Sequence, residues 1–384
     1  VVERHAALRT IFPLTGAQPR PVVLPEIEYA PREFDLSHID GSSEQEKELK
    51  QLCEDEAAAP FVLEKGPLWR TALIKVGDND YTLVLTMHHI VSDGWSISVL
   101  LRELLLEYER LLRGQTKFIQ RDVPCRRLQY VDYAAWQRCD TWRAIADQQL
   151  AYWQQQLADA PASLNLPLDR RRPSSPTFSG STLNFTLDPA VCQAIEKLCR
   201  AEGVTPFMVL MAALQIVLSR YSGQQDICVG TAVAGRSRPE LESLIGFFVN
   251  TLVVRGQLDG NPTFREFLSQ IRETSLEAFD HAEVPFERLV ENLAPQRTVN
   301  QSPLFQVSMV FQNQPWQEPL PGIQVAEVPN GTAKYDQTWA LWQQDGSIHG
   351  TLEYSSEIFD APTAQGYINS LQNLLSAALK TPDA

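Results

Sequence analysis

His88 and His89 stand side by side in the run His88-His-Ile-Val-Ser-Asp-Gly94, and this combination of residue types is suited to acyl transfer. An imidazole, with an ordinary pKa of about 6.5, can accept a proton near neutral pH. Asp93, following His89 by one helical turn's worth of residues, is spaced to turn back and fix the loop. Gly94 permits close backbone approach and an unusual φ. The free N–H groups of a helix start at this point could face a developing oxyanion. Two other readings stand beside this one: a hydrogen-bonded structural pair, or half of a metal site. A zinc site needs three or four ligands, and His5, His38, His281 and His349 are isolated, so no metal is expected. Cys53, Cys125, Cys139, Cys192, Cys199 and Cys228 form no C-x-x-C pair and read as reduced, mostly buried thiols of a cytoplasmic protein.

The flanks show which elements must position these side chains. Tyr81 to Met87 is rich in strand formers and Trp95 to Arg113 has helical spacing, so both histidines fall where a strand ends and a helix begins. Strands are expected around 22–30 and 69–87, and helices around 43–58, 95–113 and 130–157. A Pro/Ser-rich stretch, Arg172 to Gly180, then marks a boundary between an N-terminal lobe, 1–170, and a C-terminal lobe, 171–384. Two lobes are the default, because 384 residues exceed what one hydrophobic core usually spans. The second lobe predicts helices at 189–202, stopped by Gly203, and at 206–221, capped by Thr205 with Pro206 in its first turn. Strands at 226–233 and 248–257, a helix at 263–279, a strand at 304–313 and a hairpin through Asp345-Gly346 follow.

Apolar residues at 44% and charged residues at 21% are globular values, and no apolar run has the length of a membrane span. A net charge of −14 argues against nucleic acid as a partner, since a binding face would need clustered Lys and Arg. The short basic cluster Arg170 to Arg172 is followed by Pro and Ser and reads as a solvated linker.

The run His88 to Gly94 resembles the HHxxxDG signature of condensation domains of non-ribosomal peptide synthetases, and five further segments resemble the family in order. Arg4 to Phe12 is similar to its RHxxLRTxF segment and Tyr130 to Gln137 to YxDYxxWQ. Ile245 to Leu252 is similar to IGFFVNTL, His281 to Glu287 to HxxxPFE, and Ser302 to Val307 to SPLFQV. A lone HxxxD arises by chance, whereas six ordered motifs have few competing explanations. On residue pattern alone, Ile245 to Val254 reads as a buried strand and Pro285 to Leu293 as a packed helix. Tyr130 to Trp136 reads as the apolar face of a helix running on to Trp153.

The resemblance implies an α/β fold of two chloramphenicol-acetyltransferase-like lobes in a V-shaped pseudo-dimer with the active site in the cleft. The late stretch Ala333 to Asp336 would bridge its floor, and Gln337 stands where relatives often carry Leu. It implies peptide-bond formation between an upstream carrier-bound aminoacyl or peptidyl thioester and the amine of a downstream carrier-bound aminoacyl thioester. Both would arrive on phosphopantetheine arms of partner carrier domains beside an adenylation domain, with no cofactor bound by this domain, no nucleic acid and no membrane. An amine with a pKa of about 8 is already roughly a tenth neutral at pH 7. His89 is therefore assigned to the tetrahedral zwitterion, or to positioning the amine, with His88 beside it. Asp93 would be structural, held by Arg4, with Arg70 as a second candidate cation. Trp95, Asn250 and Ser302 are assigned to the substrate cleft or tunnel.

The motif set looks most like the subtype joining an L-configured donor to an L-configured acceptor. The rivals are a heterocyclisation domain, counted against by the His pair, an epimerisation domain, an acyltransferase using a soluble acyl-thioester, and an inactive recruiting module. The chain opens at Val1 in what resembles mid-domain, so an N-terminal truncation relative to the family is expected.

Overall fold

The computed structural model describes residues 1–16, 18–39, 41–115, 128–293, 300–312 and 322–383. Cys125 lies outside the described residues. The chain forms two compact units: the described parts of residues 1–142, 236–249 and 316–330, and those of 143–235, 250–315 and 331–384. Packing and chain order divide the sequence differently, since residues 143–170 pack in the second unit and 236–249 in the first.

In the first unit the short strands β1 (Thr10–Ile11), β2 (Leu14–Thr15), β3 (Gln18–Pro19) and β4 (Val22–Val23) form two antiparallel pairs, β1 with β4 and β2 with β3. β5 (Arg32–Asp35), β6 (Trp69–Lys75) and β7 (Tyr81–Met87) make a three-stranded sheet in that order. β5 runs parallel to β6 and β6 antiparallel to β7, with Trp69 opposite Met87. The helix α1 (Ser42–Ala58) covers one face, where Leu36, Ala72, Ile74 and Val84 pack against Leu49, Leu52 and Cys53. On the other face Trp69 packs with Ala7, Leu8 and Ile245, and with Val99 and Leu100 of α2 (Gly94–Leu112). α3 (Tyr130–Trp136) completes the unit. The strand expected at 22–30 is reduced to β4, because Pro25 and Pro31 remove backbone donors a longer ladder would need.

The second unit holds α4 (Asp140–Gln156) from Arg143 onward, β8 (Gly180–Thr186), α5 (Pro189–Glu202), α6 (Pro206–Ser222), β9 (Asp226–Val233) and β10 (Asn250–Gln257). α7 (Phe264–Asp280), α8 (Phe286–Leu293), β11 (Val307–Gln312), β12 (Gln337–Gln344), β13 (Ser347–Ser355) and α9 (Ala361–Ala378) follow. Its sheet has the order β10-β9-β11-β12-β13-β8, parallel where β11 meets β9 and β12 and antiparallel elsewhere. α6 is buried all round, from Phe207 through Leu214 and on to Leu218, which explains why its sequence is apolar on every face. Asp188 and Thr205 cap α5 and α6 through their side chains, and Gly203 and Gly223 end them in the left-handed conformation that glycine adopts without strain. No single described helix is long and apolar enough to cross a membrane, and the apolar pair α5 and α6 is bent by 108°.

The continuous helix expected at 130–157 is two helices, broken at Gln137 to Cys139, where α3 closes with three-residue turns from Arg138 N–H to Ala135 and from Cys139 N–H to Trp136. The basic cluster is not a solvated linker. Arg170 donates to the carbonyls of Ser356, Glu357 and Phe359 and pairs with Asp360, and Arg172 holds Asp336 at 2.7 Å. Gln337 is buried and accepts the indole N–H of Trp339. Both units share one motif, a parallel pair followed by an antiparallel hairpin and a helix: β5-β6-β7-α2 and β11-β12-β13-α9. In the second unit β8 pairs with the outer edge of β13, whereas among the described residues no strand pairs with the outer edge of β7.

Candidate active site

β7 ends at Met87, and the His88 N–H still bonds to the carbonyl of Leu68, one residue before β6. A single 3-10 turn, His89–Val91, then turns the chain into α2. The two imidazoles are held in opposite tautomers. His88 Nδ1 accepts the N–H of Ile90 at 3.0 Å, so that nitrogen carries the lone pair and Nε2 the proton. His89 Nδ1 lies 2.6 Å from the carbonyl oxygen of Ser92, which can only accept, so Nδ1 carries the proton and Nε2 the lone pair. Burial, with the neighbouring His89 adding to it, holds His88 below its ordinary pKa. His88 packs edge-on to Phe61 and is half-buried, whereas His89 is exposed. Of the two imidazoles, the exposed one is therefore that of His89, with its lone pair on Nε2.

Both carboxylate oxygens of Asp93 are occupied by hydrogen bonds. The residue is 3% exposed. Oδ1 caps α2 by accepting the N–H of Ser96 at 2.7 Å. Oδ2 accepts from Arg236 Nη1 and from the N–H of Phe248, each at 2.9 Å. The pairing with Arg4 is corrected: Arg4 meets Glu103 and Glu107 of α2, and Arg70 meets Glu56 and carbonyls at the end of α1. The cation that holds Asp93 is Arg236, whose side chain is 1% exposed and lies over the Phe248 ring at 4.2 Å. Its Nη2 also donates to Ser96 Oγ at 2.9 Å and to the Leu244 carbonyl.

Ser96 clamps the same segment, donating to the Gly246 carbonyl at 2.8 Å and accepting the Gly246 N–H at 3.0 Å. Residues 245–249 are thus an irregular segment bonded to side chains, and the strand expected at 248–257 starts only at Asn250. Gly246 has to be glycine here, since a Cβ would fall 2.3 Å from the Tyr130 ring. Gly94 has no such constraint: its φ is not left-handed and a Cβ would meet nothing within 4 Å. The expected role of Gly94 in an unusual backbone turn is corrected accordingly. The start of α2 already carries the Asp93 carboxylate on the Ser96 N–H, so that donor is not free for an oxyanion.

Trp95 lies in the same unit, its indole N–H donating to the Glu242 carbonyl at 2.8 Å. Asn250 and Ser302 belong to the second unit. The Asn250 amide donates to the carbonyls of Ala282 and Val284 and accepts from the N–H of Phe286, fastening the turn into α8. The Ser302 carbonyl accepts from Gln306 in the loop before β11. Among the described residues no group of three or more His, Cys, Asp or Glu converges as a metal site would require. Burial pushes the thiols of Cys199 and Cys228 up to about 11 and about 12, so both remain protonated near neutral pH.

Sequence reasoning missed Arg236 and Ser96. Ser96 was findable, as the third residue of a helix capped by Asp93. Arg236 carries no local signal, since it sits 143 residues from its partner in a Gly-Arg-Ser-Arg-Pro stretch.

The sequence family described as "Condensation domain" matches residues 1–384. A component of the linear gramicidin synthase of Brevibacillus parabrevis is 40% identical over 389 residues, covering 100% of this chain and 5% of that protein. Malpinin synthetase of Mortierella alpina is 41% identical over 380 residues, covering 97% of this chain and 5% of that protein. The chain thus spans about a twentieth of the length of these curated relatives. The crystal structure of the X-domain from teicoplanin biosynthesis has a TM-score of 0.87 at 26% identity, covering 100% of this chain and 86% of that one.

Proposed function

Because the chain belongs to the condensation-domain family of non-ribosomal peptide synthetases, whose members are acyltransferases that form amide bonds, we propose that it joins two carrier-bound thioesters. The amine of a downstream aminoacyl thioester attacks the carbonyl carbon of an upstream aminoacyl or peptidyl thioester. The C–N bond forms, the C–S bond breaks, and the amine proton passes to the departing thiolate of the upstream arm. His89 Nε2 takes that proton from the tetrahedral zwitterion and returns it to sulfur, or holds the amine for attack. The phosphopantetheine arms belong to the partner carriers, beside an adenylation domain, and tethering raises the local concentration of both reactants. The two compact units correspond in this reading to the two lobes of the family fold, and the enzyme works in the cytoplasm. An L-configured donor and an L-configured acceptor are the substrate pair the motif set favours.

The observation that carries the proposal is the opposite tautomers of the pair, which leave one exposed lone pair, on His89, at the end of a loop fastened by Asp93 and Arg236. The test is single-turnover amide formation from two loaded carrier domains. His89→Ala should lower the rate by a factor on the order of 100 or more, the range of a positioned acid–base group, with an unchanged melting curve, and His88→Ala should be milder. A His89→Ala protein as fast as wild type would end the assignment. Release of an epimerised donor without an amide product would favour the epimerisation reading instead.

A further inference from the structure

Phe247 is a large apolar side chain left 37% exposed between two residues whose positions are fixed. On one side Gly246 is clamped through both its N–H and its carbonyl by Ser96 Oγ. On the other, the Phe248 N–H is bound by Asp93 and its ring is enclosed by Tyr130, Tyr133 and Arg236. The carbonyl of Phe247 itself accepts the Tyr130 hydroxyl at 2.9 Å. With its backbone held at three successive residues, its ring lies 4.9 Å from the His89 ring, with the planes at 85°.

Single exposed apolar residues are ordinary and need no explanation, but this contact adds a restraint on the histidine ring beside its hydrogen bond to Ser92. The hydrogen bond from Nδ1 to Ser92 is a single contact, which rotation about the Cα–Cβ and Cβ–Cγ bonds of His89 would break. An edge-on aromatic neighbour opposes that rotation. We propose that Phe247 is a positioning residue, which holds the His89 ring with Nδ1 on the Ser92 carbonyl and so keeps Nε2 as the available proton acceptor. Asp93, Arg236, Ser96 and Tyr130 then act on His89 through Phe247, by fixing the backbone that presents it. The consequence for catalysis rests on the proposed function, whereas the effect on the imidazole does not.

The experiment compares wild type, Phe247→Ala, Phe247→Tyr and Tyr130→Phe by nitrogen NMR of the histidine side chains and by amide formation from loaded carriers. His89 should be largely in the Nδ1–H form in wild type and in Phe247→Tyr. In Phe247→Ala it should shift toward the Nε2–H form that histidine prefers in water, with Tyr130→Phe between. In Phe247→Ala kcat should fall on the order of tenfold, the factor to which loss of an edge-on ring contact corresponds, with KM within about twofold and recovery in Phe247→Tyr. A His89 tautomer unchanged in Phe247→Ala overturns the proposal, whether or not activity falls. A shifted tautomer with undiminished amide formation upholds the positioning and removes His89 from the proposed chemistry.

Discussion

His88 and His89 are chemically alike in the sequence and made unlike by one hydrogen bond each, to an N–H in one case and to a carbonyl in the other. The difference has a measurable pH consequence. His88 is held below its ordinary pKa by burial, so between about 6.5 and its lower folded value the unfolded chain binds the proton that the folded chain refuses. Stability contributed by neutral His88 is therefore present above about pH 6.5 and is lost as pH falls below it. His88→Asn keeps an acceptor for the Ile90 N–H and removes the titration. Its melting temperature should decline less between pH 7 and pH 5 than that of wild type, and parallel declines would show that His88 is not the group responsible. At this scale the sequence displayed which residue types could do chemistry but not their protonation, because a tautomer depends on what faces each nitrogen. It paired Asp93 with the wrong cation, because Arg4 is near in motif order while Arg236 is near in space.

The start of α2 and the segment 245–249 form one working element, although they lie about 150 residues apart. Ile245 to Val249 looked like strand because an apolar run is ambiguous by periodicity alone. It is irregular because its backbone groups are satisfied by the side chains of Ser96, Asp93 and Tyr130 rather than by a neighbouring strand. The break between α3 and α4 was hidden for a similar reason, as no Gly or Pro marks Gln137 to Cys139. Removing Asp93 strikes both partners of this element at once: α2 loses its cap and Arg236 its buried carboxylate. Asp93→Ala should cost about 3–5 kcal/mol, the range for stranding one member of a buried ion pair, read as a lower denaturant midpoint with activity lost alongside stability. A variant that melts like wild type yet is inactive would give Asp93 a direct chemical part.

Across the molecule, the best-read regions were those whose signals are local. α5 and α6, with caps, first-turn prolines and terminal glycines, fall where expected, and Asp345-Gly346 turns β12 into β13 with positive φ at both residues. What could not be read was which distant segments share a unit, since 236–249 departs between two paired strands, β9 and β10, of the other. Tyr81 and Leu83 of β7 are about half exposed, and among the described residues no strand pairs with the outer edge of β7, where the corresponding strand β13 carries β8. Open apolar edges promote association, so Leu83→Lys should lower the self-associated fraction in sedimentation while changing stability by no more than about 0.5 kcal/mol. An unaltered distribution would place any association elsewhere. The return of residues 236–249 to the first unit also sets an order in time. Arg236 and Phe248 follow Asp93 by 143 and 155 residues. At about 5–20 residues per second on the ribosome, the paired histidines leave the exit tunnel on the order of 10 to 30 s before the residues that fasten their loop, so the geometry around them is completed only after most of the first unit has already emerged.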